Sequence, residues 1–191
     1  MSGHPGVATA VVVTDPDDQG RLGLHYRWLP GGDALAPSYA PVAAALAGAN
    51  RGAWLMPEVG DEVLVAFEHG DRDHPYVVGF LWNGAEPPPE TDRQNRVILT
   101  PGGHTLRFED GNDKKVVLKT AAGHHLTLED DGNAVTLHSN GGHELKIDDN
   151  AGTITVAISG GASKVELTSS KVTLTGGGRS VALSGGQVQI S

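Results

Sequence analysis

The second half of the chain repeats one eight-residue phrase three times, and this repeat limits the possible folds more than any other feature. Each copy begins with Gly and His and continues with alternating apolar and polar residues, at Gly103–Asp110, Gly123–Asp130 and Gly142–Asp149. The copies are 20 and 19 residues apart, and a short Val/Leu/Ile segment follows each one. Toward the C-terminus similar segments recur every 7 to 9 residues. This pattern predicts short strands of alternating face joined by tight turns.

Each predicted strand of the repeat has one dry side and one wet side. In the first copy Leu106 and Phe108 share a face, while Arg107 and Glu109 occupy the other. One thin ribbon of this kind cannot bury its own dry side, and the segment has few bulky residues for a second sheet. Several copies of the chain closed around an axis would bury these faces. A monomeric β-solenoid has the same period, so both arrangements stay open at this point.

The first half of the chain has a different pattern, in which β-branched runs alternate with turns rich in Pro, Gly and Asp. Pro41–Ala49 is rich in alanine and fits either a short helix or an irregular segment. About five short strands in some eighty residues predict a small closed barrel of the OB type. The predicted strands are Val7–Val13, Arg21–Trp28, Ala53–Met56, Glu62–Glu68 and Pro75–Trp82.

The domain boundary is predicted at a proline-rich stretch. We assign residues 1–85 to the barrel, 86–100 to a linker that contains Pro87-Pro88-Pro89, and 101–191 to the repetitive part. The composition also shifts there, because every Trp and Tyr precedes this stretch and Phe108 is the only aromatic residue after it.

Composition excludes several classes of function. The net charge of −9 argues against a partner made of nucleic acid, because such proteins concentrate basic residues to neutralise phosphates. The chain has no cysteine, so disulfides and thiolate metal sites are excluded. No run of eighteen apolar residues and no leader-like segment is present. We therefore expect that the protein assembles in the cytoplasm and does not insert stably into a membrane.

The central part of the barrel region resembles a known family. Residues 51–71 read RGAWLMPEVGDEVLVAFEHGD and residues 74–84 read HPYVVGFLWNG. Together with GRLGL at residues 20–24 and the later Gly-His-x-Leu phrases, they resemble phage baseplate assembly protein V and the VgrG-type central spikes of contractile injection systems. The resemblance covers most of the chain.

This resemblance implies an all-β protein with an N-terminal OB-fold barrel followed by a C-terminal intertwined trimeric β-helix, a β-prism needle. It further implies a homotrimer without enzymatic activity or cofactor, which caps the inner tube and pierces the target envelope. The machine would be a phage tail-like particle, an extracellular injection system or a type VI-like apparatus, assembled in the bacterial cytoplasm and delivered to or through the target envelope on contraction. The alternative is an OB-plus-β-solenoid module, monomeric or oligomeric, that binds carbohydrate or protein.

The resemblance also implies particular partners. VgrG proteins carry a large hub domain before the barrel, and because no such domain precedes Met1 we expect a separate baseplate hub protein at the N-terminal side. Short phage spikes bind iron through a His-x-His pair near the C-terminus, and this sequence has no histidine after His143. We therefore expect a separate PAAR-type tip protein at the C-terminal end. There is no room for the lysozyme insert of some phage spikes.

The histidines of the repeat are the candidates for a metal or anion site. His104, His124 and His143 have the parity of the apolar residues, so threefold symmetry would bring three imidazoles together at each level. The alternative is that each imidazole packs near its turn and bonds to backbone or water, and we predict no metal.

Other polar groups are interpreted as structural. His69 and His74 flank a predicted hairpin turn. The turn by itself accounts for this polar stretch, so we assign these histidines no zinc-binding or catalytic role. The carboxylates of Glu58, Asp61, Glu62 and Glu68 lack an aromatic-lined sugar cleft, so glycoside hydrolysis is not expected. The run Gly176–Gly178 lacks the Lys-Ser/Thr ending of a phosphate loop.

Overall fold

A computed structural model of the chain describes residues 6–31 and 34–190. The protein is all-β and forms two compact units that divide between Pro88 and Pro89. The described part of the chain contains no helix with the length and apolar character that a membrane crossing requires.

The first unit is a closed five-stranded barrel with a small ribbon. Its sheet has the order β3-β2-β1-β6-β7, with all of these neighbours antiparallel. A parallel bridge between Val42 and Val77 joins the end of β3 to β7, and the Ala43 N–H donates to the Val77 carbonyl at 2.8 Å. This closure confirms the predicted OB-type barrel. The strands are β1 Val7–Val12, β2 Arg21–His25, β3 Ser38–Pro41, β4 Ala47–Gly48, β5 Arg51–Gly52, β6 Glu62–Phe67 and β7 Pro75–Leu81, with β4 and β5 forming the ribbon.

The barrel core follows from strict alternation along these strands. Alternate residues of β6 are buried, and the same inward parity holds in β1 and β7. A continuous cluster of buried apolar side chains results, which includes Tyr26 and Phe67. Its largest fully buried side chains are Val12, Leu22, Leu24, Val63, Val65 and Val77.

One prediction in the barrel region was wrong. Ala53–Met56 is not a strand, because the five barrel strands already pair with one another and leave no edge for it; Trp54 and Leu55 are exposed instead. Of the two alternatives for Pro41–Ala49, the structure shows the irregular segment, since Pro41 ends strand β3 and Ala47–Gly48 pairs with Arg51–Gly52.

The second unit is one antiparallel sheet of eleven strands, in which every strand pairs with its neighbours along the chain. This topology does not match the monomeric β-solenoid, whose coils stack in parallel. Strand β8 lies inside the range that we expected to be linker. The strands are β8 Asn95–Leu99, β9 Thr105–Glu109, β10 Lys115–Lys119, β11 His125–Glu129, β12 Ala134–His138, β13 Glu144–Asp148, β14 Thr153–Ala157, β15 Lys164–Leu167, β16 Lys171–Gly176, β17 Arg179–Ser184 and β18 Gln187–Ile190.

Gly23 in the barrel gives a direct test of the packing. A Cβ at this position would overlap Thr14 Oγ1, which accepts the Gly23 N–H at 3.1 Å. We expect Gly23→Ala to lower the free energy of unfolding by about 1–3 kcal/mol, because the crowded neighbour must shift. Urea titration followed by tryptophan fluorescence would measure this, since all three Trp residues lie in the first unit.

The matched control is Gly79→Ala in β7, where no atom lies within 4 Å of the added Cβ. We expect it to change the free energy of unfolding by less than about 0.5 kcal/mol. Equal losses in the two variants would contradict the packing described around Gly23.

Candidate functional site: the apolar face of the repetitive sheet

The register of the second unit aligns its apolar residues into two unbroken columns, which we call the apolar face. Phe108 lies opposite Val116, which lies opposite Leu128, and the same alignment continues from strand to strand. One column contains Phe108, Val116, Leu128, Val135, Ile147, Ile154, Leu167, Val172, Leu183 and Val188. The other contains Ile98, Leu106, Leu118, Leu126, Leu137, Leu145, Val156, Val165, Leu174, Val181 and Ile190.

The apolar face is open to solvent within one chain. Leu118, Leu137 and Ile190 expose 54%, 53% and 78% of their surface, and large apolar residues are similarly exposed along the sheet. Contiguous apolar patches of this kind mark surfaces that bind a partner. The face is therefore the strongest candidate for a functional surface in the second unit.

The opposite face of the sheet satisfies its own charges. Lys146 lies 2.8 Å from Asp148 and Lys164 lies 2.7 Å from Glu166, each pair on a single strand. The hydrogen bond that Lys146 donates to Asp148 raises the pKa of Lys146, and the same contact together with the Ala151 N–H lowers the pKa of Asp148. These half-exposed pairs are typical of a surface in contact with water.

Glu90 clamps the segment before β8 to the start of the sheet. Its Oε1 accepts the backbone N–H groups of Thr91 and Asp92 at 2.8 and 2.9 Å. Its Oε2 accepts Asn95 Nδ2 at 3.0 Å and lies 2.8 Å from an Arg107 guanidinium nitrogen. The backbone N–H groups, followed by Arg107 and Asn95, lower the pKa of Glu90 to about 2.

The three repeat histidines connect successive turns along one edge of the sheet. His104 Nδ1 accepts the Ala121 N–H at 3.3 Å, and His124 Nδ1 accepts the Asn140 N–H at 3.1 Å. His143 Nδ1 accepts the Ser159 N–H at 3.2 Å in the same way. An accepting Nδ1 carries no proton, so each neutral ring has its proton on Nε2. We call this edge the His edge.

This geometry matches the alternative interpretation of the histidines, in which each imidazole bonds to backbone near a turn. Within residues 6–31 and 34–190 there is no group of three His, Asp or Glu side chains arranged to hold a metal ion. The sequence alone does not predict the Nδ1 contacts, because their partners lie 16 or 17 residues away.

The other edge of the sheet, which we call the Asp edge, is also held by side chains. Asp131 Oδ2 accepts the Lys114 N–H at 3.1 Å. Asn133 Nδ2 donates to Asn150 Oδ1 at 3.0 Å, and Asn150 Nδ2 donates to the Gly132 carbonyl at 3.1 Å. The sheet is thus fastened along both edges without a second layer.

The polar groups considered in the barrel region have structural contacts. His74 Nδ1 lies 3.1 Å from Asp71 Oδ2 inside the β6–β7 turn. The pKa of Asp71 is lowered mainly by the hydrogen bond from the Asp73 backbone N–H and secondly by this contact with His74. Asp61 Oδ2 accepts the Glu58 N–H at 2.8 Å in the preceding turn. Glu68 accepts the Tyr76 hydroxyl at 3.0 Å.

A cavity of about 270 Å³, which the sequence does not predict, borders the barrel core. Tyr26, Trp28 and Phe67 line it, with the Tyr26 ring 5.9 Å from each of the other two rings. Arg72 lies over the Trp28 ring at 5.8 Å, and burial raises the pKa of Tyr26. These residues come from three separate segments, so no local motif marks them.

Residues 5–82 match the family model for the type VI secretion system and phage-baseplate injector OB domain. The first unit is therefore similar to this injector OB domain. The match agrees with the closed five-stranded topology of the barrel, and it leaves the eleven-stranded sheet outside the matched range.

Spike proteins are among the curated relatives of the chain. The chain is 34% identical over 122 residues to the type VI secretion system spike protein VgrG4b of Pseudomonas aeruginosa, covering 55% of this chain and 15% of that protein. It is 28% identical over 111 residues to the actin cross-linking toxin VgrG1 of Vibrio cholerae, covering 53% and 10%. It is 26% identical over 133 residues to the spike protein VgrG3 of Vibrio cholerae, covering 64% and 13%. The aligned part is therefore a small fraction of each relative.

The Glu90 clamp predicts a pH dependence. Because the pKa of Glu90 falls from 4.5 to about 2 in the folded chain, its contribution to stability is present above pH 4.5 and is lost as the pH falls toward 2. We expect the Glu90 carboxyl to titrate near pH 2 by NMR. Glu90→Gln should lower stability at pH 7 and have a smaller effect near pH 2.

The control is Glu129→Gln, which removes the same charge from an exposed position on the same sheet. A Glu90 titration midpoint near 4.5, or equal effects of the two variants at pH 7, would contradict the clamp.

Proposed function

We propose that the chain is a structural central spike of a contractile injection system and acts as a homotrimer. The single observation that carries this proposal is the continuous apolar face along eleven strands, which one chain leaves exposed. Three copies closed around an axis parallel to the two columns would remove that face from water. The injector OB domain and its relatives among spike proteins support the same assignment.

The topology supports an assembly of complete sheets. Every strand from β8 to β18 already pairs with its neighbours in its own chain, so each copy supplies one whole wall and needs no exchanged strand. The backbone hydrogen bonds then run along the axis within each wall, while the apolar contacts join the walls. At every level the three walls lie side by side and share a force applied along the axis, which suits a part that pierces an envelope.

In this proposal the barrel caps the inner tube and the sheet forms the needle, with no enzymatic step. A baseplate hub protein would bind at the N-terminal side and a PAAR-type tip at the C-terminal end. The particle would assemble in the bacterial cytoplasm and deliver the spike to or through the target envelope on contraction.

The mass in solution tests the proposal. We expect light scattering to give about 59 kDa, three times the chain mass of 19.8 kDa, with a high frictional ratio in sedimentation. A mass of about 40 kDa would indicate two sheets packed face to face instead. A monomer of about 20 kDa would overturn the proposal and favour a binding module for carbohydrate or protein.

Adjacent residues of β10 test whether the apolar face holds the copies together. Leu118 is exposed on the apolar face and Lys119 is exposed on the opposite face. We expect Leu118→Asp to shift the species from trimer to monomer, because it would place three carboxylates near the axis without partners. Light scattering at a fixed concentration measures the shift.

Lys119→Asp is the control, since it introduces the same side chain one residue away on the other face. It should leave the mass near 59 kDa. Loss of the trimer in both variants would show that the effect does not depend on the apolar face.

A further inference from the structure

Three strands of the second unit carry a seven-residue pattern that continues beyond their apolar residues. On β9 the pattern is His104, Leu106, Phe108 and Asp110, all of one parity. The same spacing recurs at residues 124–130 and 143–149, again from His to Asp. Because alternate residues of a strand share a face, the apolar columns are bordered by His on one side and Asp on the other. We call these rows the His border, which lies along the His edge, and the Asp border, which lies along the Asp edge.

The two edges of the sheet differ in charge. The turns of the His edge, at residues 100–104, 120–124, 139–143 and 158–163, contain no Asp, Glu, Lys or Arg. The first three turns of the Asp edge, at residues 110–114, 130–133 and 149–152, contain five Asp and one Lys, whereas its later turns at 168–170 and 185–186 contain no charged residue. The edges are therefore chemically complementary: one carries imidazoles and the other carboxylates.

The groups on both borders are available for a partner. Each repeat histidine is exposed and uses Nδ1 within its own chain, which leaves the Nε2–H as a donor. On the Asp edge, Asp130 and Asp149 are exposed, and in the described ranges their carboxylates make no hydrogen bond or ion pair. Asp110 differs, because it lies 2.7 Å from Arg96.

Closed rotational symmetry brings unlike borders together. In a ring of three identical chains each contact is heterologous, so the edge of one copy meets the opposite edge of the next. We propose that the His border of one copy binds the Asp border of its neighbour. In this contact the Nε2–H groups of His124 and His143 donate to the carboxylates of Asp130 and Asp149. This inference rests on the proposed homotrimer and adds the contacts at its corners.

Such corners would determine the arrangement as well as stabilise it. The apolar columns are nearly uniform, so they distinguish poorly between alternative alignments of the walls. A donor border that meets an acceptor border favours the ring in which all three sheets run in the same sense. Apposed Asp borders would instead place like charges side by side.

Paired cysteines test the contact. The chain has no native cysteine, and His124 and Asp130 are six residues apart on one strand, a span of about 20 Å that no disulfide can bridge within a chain. We expect oxidised His124→Cys/Asp130→Cys, or the pair shifted by one repeat, His124→Cys/Asp149→Cys, to give a covalent trimer on non-reducing SDS gels. The single variants are the controls and should remain uncross-linked, because like borders do not meet.

The wild-type mass separates failure of this inference from failure of the proposed function. A trimeric mass with no cross-linking in either double variant would overturn the border contact and leave the spike proposal standing. Equal cross-linking in the single variants would overturn it too. A monomeric wild type would reject the homotrimer and the border contact with it.

A second set of variants does not depend on disulfide formation. Asp130→Ala/Asp149→Ala should raise the concentration at which half of the trimer dissociates at least tenfold, since two acceptors are lost from each corner. Asp113→Ala is the control, because this exposed carboxylate lies in a neighbouring turn but outside the seven-residue pattern. Equal per-residue effects would indicate a change in net charge alone and would overturn the contact.

Discussion

The second unit depends on an apolar face that its own chain cannot bury. The eleven strands form a single layer, and the register keeps one apolar column in line from β8 to β18 and the other from β9 to β18. Burial of apolar surface is the main favourable term in folding and association, so an exposed face of this length favours a partner. An assembly of several copies follows from this physical argument, and the homotrimer is the form of it that we propose.

The two sheets end in different ways. In the first unit the edge strands β3 and β7 meet through Val42 and Val77, so the barrel closes on itself and buries its core in one chain. In the second unit the sheet is open, with β8 and β18 as its edge strands, and His and Asn side chains connect successive turns along its two sides. The first unit buries its core within one chain, whereas the second leaves an apolar face for other chains.

Much of the fold could be predicted from the pattern of residues. The period of two in the repeat correctly separated Leu106 and Phe108 from Arg107 and Glu109, because side-chain direction in a strand depends on parity alone. The OB-type barrel was also predicted. The failures concern pairing: Ala53–Met56 has strand-like residues but no free edge, and Asn95–Leu99 was taken for linker although β9 offered it an edge.

The sequence by itself determined where the strands of the repeat lie, which face of each is apolar, and that the repeat borders its apolar residues with His and Asp. Only the tertiary structure decided how the barrel closes and what the histidines bind. A side chain's parity is local, but the partner of His124 Nδ1 is a backbone N–H sixteen residues away, placed there by the stacking of turns. Such contacts depend on the register of whole strands, which no single segment of sequence specifies.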